Sequence, residues 1–279
     1  MSVEFPEVYI LARQMNKELT GKQIIACNLQ NCRKFQDLGF INIYISDFER
    51  LIGCKVESVM SRGNTIRLKL DKARNLILAP EYGGVILYHP KGSVASSKYT
   101  LKVGFSDDSA FTVNLTGMGI IHSFADEDLA SSYVYRRDFS ETPSPLESDF
   151  TFDYFSAELE SRSVNIKSAI VGKDAAVTGL GNAAFQDILY RAGIHPKHKA
   201  SDLNKAQQRA VYDALRLVVE QRVKLFGKSQ FVDFYGRRGS YVPVMGPNMK
   251  SKICRACGSD VEKLSLSGGQ VYLCPKCQK

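Results

Sequence analysis

The 279 residues contain no apolar run near the roughly 18 that cross a bilayer, which excludes a helical membrane span. No secretory signal opens the sequence, so its seven cysteines are expected in a reducing compartment, where disulfides do not persist. Internal repeats are missing. Tryptophan is absent too, which by itself decides nothing. Acidic side chains are comparatively scarce: 29 Asp and Glu face 37 Lys and Arg, for a formal charge of +8. The pI near 9.0 favours a polyanionic partner, although many basic proteins never touch nucleic acid. At this length the chain suits two domains with a substantial core, plus a small appendage.

What is present is most specific near the C-terminus. Cys254 and Cys257 form one Cys-x-x-Cys pair and Cys274 and Cys277 a second, with sixteen residues between the pairs. Each pair places two sulfurs on one knuckle, and two knuckles complete the tetrahedron that Zn²⁺ accepts from thiolates. One structural, four-cysteine zinc site is therefore expected. The competing reading, disulfides or unrelated thiols, fits a reducing compartment poorly. Ser265–Leu273 reads as a β-hairpin with Gly268-Gly269 at or near its turn. The remaining thiols, Cys27, Cys32 and Cys54, read as packed side chains rather than catalysts.

Texture divides the rest. Val8, Leu11, Met15 and Leu19 have helical spacing, with Pro6 tolerated in the first turn and Gly21 as the stop. Short β-rich runs follow at 23–29, 66–70, 75–78, 85–88, 99–105, 110–115 and 120–124, punctuated by Gly63-Asn64, Gly83-Gly84 and Asp107-Asp108. So many short strands imply a β-sandwich or barrel entered through one helix. A proline-rich stretch around 138–145 ends that texture. Beyond it the spacing predicts helices over 152–159, 166–171, 182–192 and 203–225, the second and third separated by Gly179-Leu180-Gly181.

Gly179-Leu180-Gly181-Asn182 opening a helix lets backbone N–H groups and a small amide approach a phosphate at the positive helix end. Lys167, a turn earlier, reaches the same group. This run, with Ile166-Lys167 before it and Ile188–Pro196 after it, resembles the helix–two-turns–helix domain of the formamidopyrimidine-DNA glycosylase/endonuclease VIII family. Glu4-Phe5-Pro6-Glu7-Val8 is similar to that family's N-terminal segment. Tyr235–Gly239 is similar to the lead into its zinc finger, and Cys274–Gln278 to the finger's end. The resemblance implies an α+β multidomain fold: an N-terminal helix plus two-layer β-sandwich over 1–137, and a linker over 138–147. A helix–two-turns–helix domain over 148–240 and a C-terminal β-hairpin zinc finger over 241–279 complete it.

It also implies base-excision chemistry. The family's N-terminal α-amine attacks C1′ of a damaged nucleotide, expels the base and forms a Schiff base, after which β-elimination cuts the strand. The glutamate that follows does the acid/base work on the opening sugar. Here Glu4 keeps the glutamate and the nucleophile position falls on Val3, preceded by Ser2. Either processing exposes Val3, or Ser2 is an expression artefact, or the Ser2 amine substitutes, or lyase chemistry is absent. The family's hairpin lysine aligns with Asn64, and Tyr82 stands where an apolar wedge enters the base stack. The arginine of the second wedge element is missing from Asn114–Gly119. The finger arginine aligns with Gly269, for which Lys263, Arg255 or Lys276 could compensate.

The implied partner is double-stranded DNA carrying damaged bases or abasic sites, contacted by Asn64, Tyr82, Lys167, Asn182 and Arg237. A monomer in the cytoplasm is expected, associated with the nucleoid if the source is bacterial. Two readings follow: a glycosylase with possible AP-lyase activity, using an N-terminal amine and Glu4, or a catalytically degenerate relative that binds damaged DNA without cutting it. A zinc-ribbon protein for RNA or protein would leave Gly-x-Gly-Asn unexplained. As a bland alternative, Glu4 is simply a carboxylate favoured at a helix start.

Overall fold

A computed structural model describes residues 3–93, 97–139, 142–172 and 174–279. They divide into two units: residues 1–140 with 230–239, and residues 141–229 with 240–279.

The first unit begins with helix α1 (Phe5–Leu19), whose Val8, Leu11, Met15 and Leu19 are buried on one stripe. Gly21 follows at φ +83°, a left-handed position that favours glycine. Strands β1 (Ile24–Leu29), β2 (Val56–Arg62), β3 (Thr65–Leu70), β4 (Arg74–Ala79), β5 (Val85–His89), β6 (Leu101–Phe105), β7 (Ala110–Asn114) and β8 (Ile120–Ala125) build two antiparallel sheets. Each has four strands, in orders β1-β6-β7-β5 and β2-β3-β4-β8. Alternation places Leu101, Val103 and Phe105 of one sheet, and Ile66, Leu68, Leu76 and Leu78 of the other, in one core with α1. That is the expected β-sandwich entered through a helix.

Several elements were not expected. Strand β2 was missed, its apolar residues being too broken by Glu57, Ser58 and Ser61 to read as a run. The short helices α2 (Arg33–Asp37), α3 (Ser46–Glu49) and α4 (Tyr133–Asp138) also escaped notice. Asp138, placed at the start of the linker by the sequence, ends α4 and is buried. Ser140 and Glu141 of that linker lie outside the described residues.

The segment 230–239, expected in the helical domain, belongs to the first unit. Phe231 and Phe234 enter its core, Tyr88 N–H donates to the Phe234 carbonyl at 2.7 Å, and the Gln14 amide donates to Asp233 at 2.9 Å. Truncating one such buried phenylalanine typically costs about 3–5 kcal/mol, enough to fix the segment there. The three packed thiols follow the sequence reading: Cys54 is in this core, with Cys27 and Cys32 against it.

The second unit holds α5 (Phe152–Glu160), α6 (Ile166–Val171), α7 (Asn182–Ala192) and α8 (Lys205–Lys224), within a residue or two of expectation. Their starts are chemically marked. The side chains of Thr151, Asn165 and Asn204 accept from the N–H groups of Tyr154, Ser168 and Gln207, and Gln207 reaches back to the Asn204 N–H. Gly193 at φ +69° ends α7. Strands β9 (Glu262–Leu266) and β10 (Gly269–Leu273) form the C-terminal hairpin. Its turn is Ser267-Gly268, both at positive φ, so Gly269 opens β10 rather than the turn.

Candidate functional site

In the first unit, the start of α1 is anchored at residue 3. Val3 is only 7% exposed, its side chain in the core, and its nitrogen donates to the backbone carbonyl of Glu81 at 2.8 Å. Glu4 is the N-cap of α1; its N–H donates to the Glu7 carboxylate at 3.2 Å. Glu4 is buried and forms a capping box with Glu7 at the start of the helix. Ser2 lies outside the described residues.

The hairpin turn Gly63-Asn64 joins β2 to β3. Asn64 N–H donates to the Asp138 carboxylate at 2.9 Å and the Thr65 hydroxyl to the same oxygen at 2.6 Å. A Cβ on Gly63 would fall 2.6 Å from Asp138 Cγ, so only glycine lets the turn sit this close. Arg137 grips Asp138 with two guanidinium nitrogens, at 2.7 and 2.8 Å, and reaches Glu81 at 2.8 Å. Burial alone would push the Arg137 pKa down; hydrogen bonds and the charges of Asp138 and Glu81 outweigh it and push it up. Sequence reasoning missed Glu81, Arg137 and Asp138, because no periodicity or spacing ties residues so far apart. The Asn64 side-chain oxygen is shielded and, among the described residues, has no hydrogen-bond partner.

Two loops of the same unit present large apolar side chains together. Tyr82 N–H donates to the Met118 carbonyl at 2.8 Å, and the Thr116 hydroxyl donates to the Gly83 carbonyl at 3.0 Å. A Cβ on Gly117 would lie 2.9 Å from the Tyr82 carbonyl oxygen. Tyr82 and Met118 are each 57% exposed, on otherwise fixed backbone. Met118 was not singled out from the sequence; its signal was a methionine between two glycines, which ordinarily reads as a bare turn. Arg237 is paired with Asp233 at 3.0 Å and lies over the Tyr235 ring.

In the second unit, the Lys167 ammonium donates to the carbonyls of Leu266 at 2.5 Å and Ser267 at 3.5 Å. It is buried, and burial pushes its pKa down. The Asn182 amide donates to the Gln270 carbonyl at 2.9 Å. Gln186, one turn further along α7, accepts from Tyr272 N–H at 2.8 Å. Lys167 and Asn182 thus both hold the finger hairpin, at the carbonyls of Leu266, Ser267 and Gln270. Gly269 completes the arrangement: a Cβ there would stand 3.0 Å from Lys167 Nζ.

The sulfurs of Cys254, Cys257, Cys274 and Cys277 all lie within 4.8 Å of one another. Cys254 and Cys277 are 3.8 Å apart, and Cys257 and Cys274 3.4 Å apart. Four sulfurs at Zn–S of 2.3 Å define a tetrahedron with edges of about 3.8 Å, so the set fits such an ion. Disulfides, with sulfurs about 2.05 Å apart, do not describe it. The Gln278 side chain accepts from Cys274 N–H at 2.9 Å and donates to the Ile194 carbonyl at 2.9 Å, tying the second knuckle to the end of α7.

Two sequence profiles match the chain: the formamidopyrimidine-DNA glycosylase N-terminal domain over residues 3–116 and the formamidopyrimidine-DNA glycosylase H2TH domain over 142–232. The chain belongs to the formamidopyrimidine-DNA glycosylase family. Among curated relatives, the formamidopyrimidine-DNA glycosylase of Carboxydothermus hydrogenoformans is 24% identical, with 99% of each chain covered. That of Streptococcus pneumoniae is 26% identical, covering 99% of this chain and 98% of its own. The fold is that of Lactococcus lactis Fpg in complex with DNA containing an abasic site: TM-score 0.84 at 20% identity, over 99% of this chain and all of that one. MutM (Fpg) from Thermus thermophilus gives 0.82 at 19%, over 99% of this chain and 98% of that one.

In this member of the formamidopyrimidine-DNA glycosylase family, Val3 and Glu4 are buried at the start of α1, Lys167 and Asn182 hold the finger hairpin, and four cysteines converge on one point.

Proposed function

We propose that this chain is a base-excision DNA glycosylase acting on damaged bases in duplex DNA, with AP-lyase activity when residue 3 carries a free α-amine. One observation supports it above others: the nitrogen of Val3, beside Glu4, is held by Glu81, the residue immediately before the exposed Tyr82. The nucleophile position and the wedge are parts of one arrangement, which a scaffold that only binds DNA has no need to keep.

The chemistry follows from those groups. A terminal α-amine has a pKa near 7.7–8.0, so an appreciable fraction is unprotonated at neutral pH. It attacks C1′, the base departs with the electron pair of the glycosidic bond, and the resulting Schiff base permits β-elimination. Glu4 exchanges protons with the sugar as it opens. With Ser2 still attached, the residue 3 nitrogen is an amide and performs none of these steps. Tyr82, with Met118 beside it, enters the stack where the nucleotide leaves. Of the three ammonium donors of Lys167, two serve the hairpin and the third meets a backbone phosphate, with Asn182 alongside.

The relatives' DNA motivates the substrate class. The Lactococcus lactis structure holds abasic DNA, and a MutM structure of TM-score 0.84 holds DNA with carbocyclic 8-oxo-G. Cys254, Cys257, Cys274 and Cys277 hold one structural Zn²⁺, which folds the finger and takes no part in the reaction. Among the described residues no helix is long and apolar enough to cross a membrane.

The test compares proteins starting at Val3 and at Ser2. Borohydride should trap the Val3 form on abasic DNA, and more slowly the Ser2 form, whose amine sits up to about 3.5 Å further along the chain. Glu4→Gln should end turnover and spare binding. If neither form traps on abasic or oxidised DNA while both bind it, the enzyme reading gives way to the damage-binding one.

A further inference from the structure

Val3 and the hairpin turn at Gly63-Asn64 belong to different elements, yet one chain of contacts joins them. Val3 nitrogen meets the Glu81 carbonyl at 2.8 Å, and the Glu81 carboxylate accepts from Arg137 at 2.8 Å. Arg137 grips Asp138 through two nitrogens, and Asp138 accepts from Asn64 N–H and the Thr65 hydroxyl. Asp138 is almost wholly buried, and Gly63 has no side chain to keep the turn away from it. Among the described residues, Arg137 alone touches both carboxylates. Without it, Glu81 and Asp138 are two negative charges with nothing between them, and the loop carrying Tyr82 loses its tie to the hairpin.

We propose that Arg137 is a positioning residue for the reaction: through Glu81 on one side and Asp138 on the other, it fixes the nucleophile position at residue 3 relative to the β2–β3 turn. This rests on the glycosylase reading above. Its planar guanidinium suits the task, since it satisfies a bidentate carboxylate and a second acceptor at once, where a lysine offers a single point charge. The clamp also accounts for two otherwise unrelated features: the glycine at 63 and the buried aspartate at the end of α4.

The experiment uses the protein starting at Val3 and its Arg137→Gln and Arg137→Lys variants. Three quantities are measured: the single-turnover trapping rate on abasic DNA, the Kd for that DNA, and hydrogen exchange at residues 4–8 and 62–65. Arg137→Gln should slow trapping on the order of tenfold or more with Kd nearly unchanged, because misplacing a nucleophile affects the reaction more than the binding. Exchange should rise in both segments together, and Arg137→Lys should recover part of each loss. Parallel losses in rate and affinity, or exchange rising at one segment alone, would overturn the inference.

Should the parent protein not trap at all, the glycosylase reading fails; the exchange data still decide the clamp. If Arg137→Gln does not fold, Glu81→Gln cuts one link only. Exchange should then rise at residues 4–8 while 62–65 stays protected, and unchanged exchange at 4–8 would count against the clamp.

Discussion

The Lys167 ammonium lies 2.5 Å from the carbonyl of Leu266, so a cation expected to meet phosphate also holds the turn of the finger hairpin. Gly269 makes room for it, with a hypothetical Cβ only 3.0 Å from Nζ. A side chain at 269 would press on the Lys167 ammonium, which would have to give by a few tenths of an ångström.

Lys167→Ala should therefore act twice. On the proposed phosphate contact, removing its charge should shallow the salt dependence of DNA binding by about one unit of slope. Freeing the hairpin turn should also raise hydrogen exchange across Leu266–Gly269. Asn182→Ala, which removes no charge, should weaken binding with the slope preserved. An unchanged slope for Lys167→Ala in salt titrations would confine that residue to holding the finger.

Metal removal should have a local result. Cys254, Cys257, Cys274 and Cys277 should bind one Zn²⁺ per chain, because a lone hairpin of two strands is marginal in water without it. Chelation should unfold the finger and release Gln270 and Tyr272 from Asn182 and Gln186. The first unit should keep its unfolding transition. Elemental analysis together with calorimetry checks this, and metal-free protein with an ordered finger would refute it.

Periodicity and punctuation made most of the fold legible: α1, seven strands of the first unit, the C-terminal hairpin and the four helices of the second unit carry a clear apolar period, a turn signal or a capping side chain. Spacing made the four cysteines legible for the same reason, since zinc dictates it. What stayed hidden was everything defined by long-range contact. Arg137-Asp138 looks like the polar edge of a linker, because burial of Asp138 depends on a glycine turn 74 residues earlier. Phe231 and Phe234 belong to the core of a unit whose other residues end at 140, which no local pattern signals.

Two glycines at positive φ should respond differently to alanine. Gly268 sits at φ +72° with open space around it, so Gly268→Ala should cost only the left-handed backbone penalty of about 1–2 kcal/mol. Gly63, at φ +54°, carries that penalty and also places a methyl 2.6 Å from Asp138 Cγ. Gly63→Ala should cost more, about 2–4 kcal/mol, and loosen the hairpin turn. Denaturant unfolding that ranks the two equally would mean Asp138 moves aside freely.

The wedge gives the last prediction. Tyr82 and Met118 keep more than half their surface in solvent, so neither contributes much to folding. Tyr82→Ala should leave the melting temperature nearly unchanged while weakening binding to abasic DNA by about 1–3 kcal/mol, the usual worth of one aromatic–base stack. The loss on undamaged duplex should be smaller, because an intact stack leaves no void to fill. Met118→Ala should show the same discrimination with a smaller loss, as a thioether fills space without stacking as an aromatic does. The Tyr82 N–H to Met118 carbonyl contact is made by backbone atoms, so each substitution leaves the other loop in place and the effects can be compared directly. Fluorescence titrations on matched abasic and intact duplexes measure both. Equal losses on the two DNAs would make Tyr82 a general surface contact and remove it from the wedge.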